Sequence, residues 1–265
     1  MFHRYKTITS IHNDDYKALN RLLMYTRARR KQGVIVVEGI HLAQACVDHA
    51  VQIFGVYINE CALQHEEVIG LIERWNDDNI PIRIMPNALI AQTTTLASPP
   101  EVIAVCARPM SPPIQPDSSR VLLERIQDPG NLGTILRAAA ASGIDDIFVG
   151  KGCADVYAPK VLRSGMGAHF SLAIHEESDL VAILERYPGK RLVTRLDGDS
   201  SLYSQDLTGP VAFVFGNEGA GVSAALSTVA DVRVRIPMPG CVESLNVAMA
   251  ATLCLFERVR QCEVR

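Results

Sequence analysis

Short apolar segments alternate with helix-like stretches through the second half of the chain. Each segment is no longer than eight residues and is rich in valine, isoleucine, leucine or phenylalanine, which favours buried strands. Strands separated by helices predict a mostly parallel sheet that is covered on both faces. In such sheets ligands bind outside the carboxyl ends of the strands, so we expect the functional site in the loops that follow them. The predicted strands are 120–127, 145–150, 170–176, 190–196, 210–216 and 231–238.

A proline- and serine-rich stretch precedes this alternation. The sequence ARPMSPPIQPDSSR, residues 107–120, cannot continue a helix or a central strand. It predicts a linker at 107–119 between a first domain, 1–106, and a second domain, 120–265. The first domain is expected to begin with a helix near 14–30 and to continue as alternating strands and helices. This order is typical of a small α/β domain.

Charge is distributed unevenly along the chain. The 265 residues carry a net charge of −3, yet residues 1–33 hold eight lysines and arginines against two aspartates. A basic segment on an acidic body can bind a polyanion, although a solvated helix face produces the same pattern.

Membrane and metal-site signals are weak. No apolar run reaches the roughly 18–20 residues that span a bilayer, and the N-terminus lacks the apolar core of a signal peptide. The seven cysteines are scattered without a C-x-x-C pair, which indicates neither a disulfide framework nor a zinc site. We therefore expect reduced thiols in a cytoplasmic protein without a metal or a membrane partner.

Three loops at predicted strand ends carry polar residues among glycines and prolines. The first, DPGNLGTILRAA, offers Asn131 as a helix cap and places Arg137 in the helix. The second, FGNEGAG, surrounds Glu218 with glycines but lacks both G-K-[ST] and G-x-G-x-x-G, which argues against a nucleoside triphosphatase. The third, PGCVESLNVAMAATLCLFE, offers Ser244 as a helix cap and places Asn246 just inside the helix. Taken singly, each loop is equally compatible with a purely structural role.

The final helix, expected from about residue 245, is apolar nearly all round. A helix without a polar face is buried on both sides. We expect it to pack between the sheet and a second subunit; an internal core helix is the alternative.

Taken together, the three loops resemble a known family. NLGTILRAA, FGNEGAG and IPMPGCVESLNVAMA, in this order, are similar to the signature motifs of the SpoU (TrmH-type) RNA ribose 2′-O-methyltransferases. The segment GCADVYAPKVLRSGMGAHFSLAIHE, 152–176, also resembles that family, and ITSIHNDDYKALNRLLMYTRARRKQGVIVVEG resembles its RNA-substrate-binding domain. The resemblance covers nearly the whole chain. It implies an α/β protein with a small N-terminal L30e-like domain and a C-terminal trefoil-knot (SPOUT) domain containing a mostly parallel sheet.

The resemblance also implies an activity and its residues. The implied cofactor is S-adenosylmethionine, the implied acceptor is a ribose 2′-hydroxyl, expected in 23S rRNA, and the implied assembly is a homodimer through the knot domain. The implied catalytic residues are Asn131, Arg137, Glu218, Ser244 and Asn246. The implied cofactor contacts are Thr194, Leu196, Gly216, Asn217, Gly221, Ile236, Met238, Ser244 and Leu245. The RNA contacts expected in the first domain are Arg21, Arg27, Arg29, Arg30 and Lys31.

The role of Arg137 stays open at this point. An arginine is protonated at neutral pH, so acting as the base that takes the 2′-hydroxyl proton requires a very large local change. The alternative is a grip on a phosphate beside the target ribose. Other hypotheses for the whole chain are an inactive RNA-binding module, a tRNA-modifying enzyme and a small-molecule enzyme. The sequence shows no aromatic platform of the kind that stacks RNA bases.

Overall fold

The computed structural model describes residues 5–114 and 116–263, which divide into two compact units. Unit 1 comprises the described residues up to Pro109 together with Tyr157–Phe170, and unit 2 comprises the rest. The first division falls inside the stretch expected to be a linker, whereas residues 157–170, expected in the second domain, belong to unit 1. Within the described ranges, no helix combines the length and apolar character that crossing a bilayer requires.

Unit 1 is built on a five-stranded sheet in the order β1-β4-β3-β5-β2. Strand β5 runs antiparallel to both of its neighbours, and the remaining pairs are parallel. Sequence analysis did not predict β5, which is an apolar run directly before the proline-rich stretch. The elements are β1 (Lys6–Thr7), α1 (Asp14–Met24), α2 (Thr26–Gln32), β2 (Val34–Glu38), α3 (Ile40–Asp48), β3 (Ile53–Asn59), α4 (Glu66–Asp77), β4 (Ile82–Met85), α5 (Asn87–Ala91), β5 (Val102–Ala107) and, from the later segment, α7 (Pro159–Gly165).

The helix expected at 14–30 is two helices, α1 and α2, that meet at Tyr25. The backbone of Tyr25 is extended, with φ −121° and ψ 112°, so the helical hydrogen-bond pattern stops there. Apolar side chains of α1, among them Leu19 and Leu22, join the buried core of the unit with Val36 and Ile103 from the sheet. The break therefore turns the chain while α1 stays packed on the sheet.

Arg29 stabilises the break between α1 and α2. Its Nη1 donates to the carbonyl oxygens of Leu22 at 2.7 Å and Leu23 at 3.2 Å, which are among the last carbonyls of α1. Only 4% of Arg29 is exposed. The structure thus contradicts the prediction that Arg29 contacts RNA, because its guanidinium is consumed in capping a helix inside the fold.

Residues of α7 are joined to the end of β2 by a buried ion pair. Arg163 donates to Glu38, whose carboxylate is almost fully buried and also accepts from Thr94 Oγ1 at 2.6 Å. A buried carboxylate is tolerated because a cation and a hydroxyl both satisfy it. This pair is one of the contacts that residues 157–170 make within unit 1.

Unit 2 contains a seven-stranded sheet in the order β10-β12-β9-β11-β6-β7-β8, in which every neighbouring pair is parallel. The predicted α/β class with a mostly parallel sheet is confirmed. The central strand β11 is buried at all of its residues. The elements are β6 (Arg120–Leu123), α6 (Pro129–Ala141), β7 (Asp146–Gly150), β8 (Ala173–Ser178), α8 (Leu180–Glu185), β9 (Lys190–Thr194), β10 (Ser200–Ser201), β11 (Val211–Phe215), α9 (Ala224–Val229), β12 (Val232–Arg235) and α10 (Val247–Glu263).

The register of unit 2 aligns the carboxyl ends of four strands. Phe215 of β11 lies opposite Leu123 of β6, Val214 lies opposite Val193 of β9, and Thr194 lies opposite Val234 of β12. The loops that leave these strands therefore start at one level of the sheet. This alignment brings residues far apart in sequence to the same edge.

Asp15 ties the first turn of α1 to the edge of the sheet in unit 1. Its carboxylate accepts from Arg83 Nε of β4 at 2.9 Å and from Lys6 Nζ of β1 at 2.7 Å. The hydrogen bond from Arg83, followed by that from Lys6, lowers the pKa of Asp15 to about 2. The carboxylate is therefore more stable in the folded chain than in the unfolded chain.

We expect Asp15→Asn to lower the free energy of unfolding at pH 7 by about 1 kcal/mol, a value reduced by solvent screening of the partly exposed pair. Because folding lowers this pKa, the stabilisation is present above the ordinary carboxyl pKa and is lost as pH falls towards about 2. Urea denaturation at pH 7 and pH 3 measures the difference. Asp14→Asn, at the adjacent and fully exposed carboxylate, is the control and should change little. An equal loss for both variants would contradict the assignment.

Candidate active site

A cleft of about 520 Å³ opens at the carboxyl ends of β9, β11 and β12. Its walls are the segments that follow these strands. All nine residues expected to contact the cofactor line it: Thr194, Leu196, Gly216, Asn217, Gly221, Ile236, Met238, Ser244 and Leu245. The second and third loop motifs and the segment after β9 therefore enclose one space, whereas the first motif, with Asn131 and Arg137, lies outside its lining.

The loop after β11 is folded tightly on itself. Asn217 Oδ1 accepts from the N–H groups of Gly219 and Ala220, both at 3.0 Å, and Asn217 Nδ2 donates to the carbonyl of Arg125 at 3.0 Å. A β-carbon at Gly216 would overlap the backbone of Gly221, which itself has a φ of +68°. Glycine is required at both positions, one for close approach and one for the left-handed conformation.

Apolar side chains form much of the remaining wall. Leu196 is 63% exposed and Leu245 is 37% exposed, with Ile236 and Met238 half-buried beside the same cleft. A flat apolar ring such as adenine would cover this surface, while polar groups lie at Glu218 and Asn246 in the same lining. The chemistry of these residues therefore fits S-adenosylmethionine, which has an apolar base and a charged amino-acid end.

Two side-chain hydrogen bonds join three of the predicted catalytic residues. Asn246 Nδ2 donates to Asn131 Oδ1 at 2.9 Å, and Asn131 Nδ2 donates to Glu218 Oε1 at 3.0 Å. These residues come from the start of α10, the first turn of α6 and the loop after β11. We call this group the amide–carboxylate cluster.

Glu218 at one end of the cluster and the first N–H groups of α10 at the other end fix the orientation of both amides. Glu218 as a carboxylate can only accept, so the amide nitrogen of Asn131 must face it. Asn246 Oδ1 accepts from the N–H groups of Ala248 at 2.9 Å and Met249 at 3.4 Å, so its nitrogen must face Asn131. Within the described ranges the second N–H of each amide has no hydrogen-bond partner, so it can bind a substrate oxygen.

These contacts correct two predicted helix caps. Asp128, and not Asn131, caps α6: its Oδ1 accepts from Asn131 N at 2.8 Å, and Pro129 occupies the first helical position. The Asp-Pro pair is the signal that sequence analysis overlooked. Asn246, and not Ser244, caps α10, which begins at Val247. Ser244 is exposed and lines the cleft.

Glu218 is ionised at neutral pH. Burial raises its pKa, but hydrogen bonds from Asn131 and from the N–H groups of Glu218, Asp128 and Gln127 outweigh burial and lower it overall. The carboxylate is therefore a stable acceptor and a weak base.

Arg137 is not part of the cluster. It lies on the exposed side of α6, six residues after Asn131, which places the two side chains about 120° apart around the helix. No ion pair of Arg137 exists within the described part of the chain. The structure thus places Glu218, Ser244 and Asn246 in the lining of the cleft, joins Asn131 to Glu218 and Asn246 by hydrogen bonds, and leaves Arg137 facing solvent.

Sequence analysis missed a charged pair at the rim of the cleft. Arg195 and Asp197 both line the space, and Arg195 Nε donates to Asp197 Oδ1 at 2.7 Å. The predicted strand extended to residue 196, whereas β9 ends at Thr194. Charged residues directly after a buried run are the signal that could have found them.

The final helix is only partly covered by its own chain. α10 buries Ala248, Ala251 and Leu255, but Leu253 and Phe256 are 38% and 42% exposed in the single chain. The helix is therefore not enclosed on both sides by its own chain, which overturns the internal-core alternative.

We expect Gly216→Ala to lower the affinity for S-adenosylmethionine by about tenfold, since overpacking that shifts a backbone costs on the order of 1–3 kcal/mol. Isothermal titration calorimetry measures the binding. Gly209→Ala is the matched control, because Gly209 precedes the same strand and has open space around it. Wild-type affinity in Gly216→Ala would contradict the proposed tightness of the loop.

Comparison with known proteins assigns the family. The sequence profile of the SpoU rRNA Methylase family matches residues 118–256. An uncharacterised tRNA/rRNA methyltransferase of Synechocystis sp. is 33% identical over 263 residues, which cover 96% of this chain and 94% of that protein. The 23S rRNA (guanosine(2553)-2′-O)-methyltransferase RlmP of Bacillus subtilis is 31% identical over 254 residues, covering 95% of this chain and 98% of that protein.

A solved structure gives the same result. The SpoU methyltransferase AviRb from Streptomyces viridochromogenes, in complex with the cofactor AdoMet, has a TM-score of 0.80 and 30% identity. The match covers 94% of this chain and 98% of that chain. The resemblance carried by the three loop motifs is confirmed, and the chain belongs to the SpoU family of S-adenosylmethionine-dependent RNA 2′-O-methyltransferases.

Proposed function

We propose that this chain transfers a methyl group from S-adenosylmethionine to a ribose 2′-hydroxyl in 23S rRNA. The observation that carries the proposal is the amide–carboxylate cluster beside a cleft whose lining suits the cofactor. The name of the Bacillus subtilis relative, which is similar over almost its whole length, supports 23S rRNA as the substrate. The similarity to a bacterial 23S rRNA methyltransferase supports a cytoplasmic location as part of the proposal.

The mechanism divides between alignment and proton removal. When bound, S-adenosylmethionine supplies an electrophilic methyl group on a sulfonium, which is already a good leaving group. The free N–H groups of Asn131 and Asn246 hydrogen-bond oxygens of the target ribose and fix the attacking hydroxyl. Glu218 holds both amides in that orientation. Its lowered pKa makes it an anchor for the amides and a poor acceptor for the hydroxyl proton.

Arg137 grips a phosphate next to the target nucleotide. Its exposure on α6 leaves the guanidinium accessible to RNA, and a guanidinium binds phosphate oxygens in a bidentate manner. In this mechanism the hydroxyl proton passes to water as the new C–O bond forms. The alternative, in which Arg137 accepts the proton, requires a deprotonated guanidinium.

The C-terminal unit forms a homodimer through α10. The exposed side chains of Met249, Leu253 and Phe256 repeat at helical spacing and make one apolar stripe. Covering such a stripe removes apolar area from water. The knot expected from the family lies in the same unit, around the loops after β9, β11 and β12. We also propose that unit 1 has an L30e-like fold and that it contacts the RNA.

We expect Arg137→Lys to keep measurable methyl transfer with a raised KM for RNA, and Arg137→Ala to lose most of it, about 100-fold in kcat/KM, since charge-assisted phosphate contacts of this kind are worth ~1.5–3 kcal/mol. The assay follows labelled methyl from S-adenosylmethionine into unmodified 23S, 16S and tRNA fractions. Thr134→Ala, on the same exposed side of α6, is the control.

Near-total loss in Arg137→Lys would overturn the phosphate grip in favour of the base. Label that enters tRNA alone would show that the substrate is tRNA and not 23S rRNA. Cofactor binding without transfer to any RNA would leave the chain as a binding module and refute the proposed activity.

We expect Phe256→Glu to convert the dimer into a monomer, because a carboxylate cannot be buried in an apolar interface without a partner. Size-exclusion chromatography with light scattering gives the mass. Phe54→Glu, at a similarly exposed phenylalanine of unit 1, should remain dimeric. A monomeric wild type, or a dimeric Phe256→Glu, would refute the interface.

A further inference from the structure

Unit 1 has a shallow hollow of about 930 Å³ beside the junction of α1 and α2. Three apolar side chains at this hollow are unusually exposed: Ile11 at 47%, Met24 at 62% and Tyr25 at 63%. Together these three side chains make an apolar patch in the hollow that a flat ligand can cover. The hollow lies outside unit 2, which contains the cleft described above.

Tyr25 is held in this position by the break between the helices. Its backbone is extended, and the guanidinium of Arg29 caps the end of α1 on the inside of the fold. The chain around the ring is therefore fixed from within while the ring itself points to solvent. A rigidly mounted and exposed aromatic ring is the arrangement that stacks nucleobases.

Cations lie in the hollow and on the helix that follows Tyr25. Lys17 and Arg21 line the hollow, and Arg27 and Lys31 are exposed on α2, directly after Tyr25. Arg21, Arg27 and Lys31 form no ion pair with any carboxylate in the described ranges, whereas Arg83 and Arg163 of the same unit are paired. Asp14 is the anion at the hollow, and it lies 4.0 Å from Lys17. The net field favours a negatively charged partner.

We propose that this hollow binds one unpaired nucleotide of the RNA substrate, with the base stacked on Tyr25 and flanked by Met24 and Ile11. Arg21, Arg27 and Lys31 contact the adjacent phosphates. That the polyanion is RNA rests on the proposed function. A base must be unpaired to expose its face, so the site selects loops or single strands over duplex RNA. The surplus of cations around the ring favours a nucleic acid over a protein partner.

The test measures RNA binding directly, without cofactor. A short fluorescein-labelled single-stranded RNA and its blunt duplex are titrated with wild-type protein, Tyr25→Ala, Tyr25→Phe and Phe54→Ala, and anisotropy is followed. We expect Tyr25→Ala to weaken single-strand binding by about tenfold, the usual scale for loss of one stacked base. Tyr25→Phe keeps the ring and should bind as wild type, and Phe54→Ala removes an exposed ring elsewhere in unit 1 and should also bind as wild type.

Salt dependence separates stacking from charge. Tyr25→Ala should keep the wild-type slope of affinity against salt, and Arg27→Ala should reduce that slope. A second measurement uses the wild-type chain alone: the single strand carrying 4-thiouridine is photo-crosslinked, and the modified peptide is identified by mass spectrometry. Attachment at Tyr25 or Met24 supports the site even if a variant folds poorly.

Four results would overturn the inference: unchanged single-strand affinity in Tyr25→Ala, equal affinity for duplex and single strand, a crosslink confined to unit 2, or a change of oligomeric state in Tyr25→Ala in place of a change in RNA affinity. Failure of the proposed function is distinguishable. Wild-type protein that transfers no methyl but binds RNA through Tyr25 refutes the activity and keeps this site. Transfer with a KM unaffected by Tyr25→Ala refutes the site and keeps the activity.

Discussion

Two hydrogen bonds, from Asn246 to Asn131 and from Asn131 to Glu218, tie together three parts of unit 2 that are distant in sequence. They can form only because the parallel sheet ends its strands at one level, so that the loops after β6, β11 and β12 start together. The glycine loop after β11 then sets the place of the carboxylate. The amide–carboxylate cluster therefore requires the register of the sheet, the geometry of the glycine loop and the orientation of the two amides.

In the amide–carboxylate cluster, the two amide donors and the carboxylate of Glu218 are held in fixed orientations. The free energy needed to order the amides is supplied during folding, by the helix N–H groups at one end and by the carboxylate at the other. Hydrogen-bond donors that are oriented before substrate arrives lose little entropy on binding it. Arg137 differs from the two amides, because its side chain is exposed and is not part of the cluster that holds them.

Sequence analysis predicted the α/β class, six strands of unit 2 within a few residues, and the lining of the cleft, because strand periodicity and loop motifs are local signals. It failed where tertiary packing decides. Arg29 has the same local charge pattern as Arg27 and Arg30, yet it alone of these three is buried, because the break at Tyr25 turns it onto the carbonyls of α1. The apolar composition of α10 did not show which of its side chains are left uncovered by its own chain.

The membership of residues 157–170 in unit 1 has a consequence for modularity. The backbone passes between the two units three times, at 109–110, 156–157 and 170–171. The units are therefore not connected by a single linker. A fragment ending at Pro109 would lack α7 and leave the carboxylate of Glu38 buried without the cation that neutralises it. Unit 1 is therefore not a cassette that can be detached or exchanged. A protease that cuts the proline-rich stretch would leave α7 on the C-terminal fragment, separated covalently from the rest of unit 1.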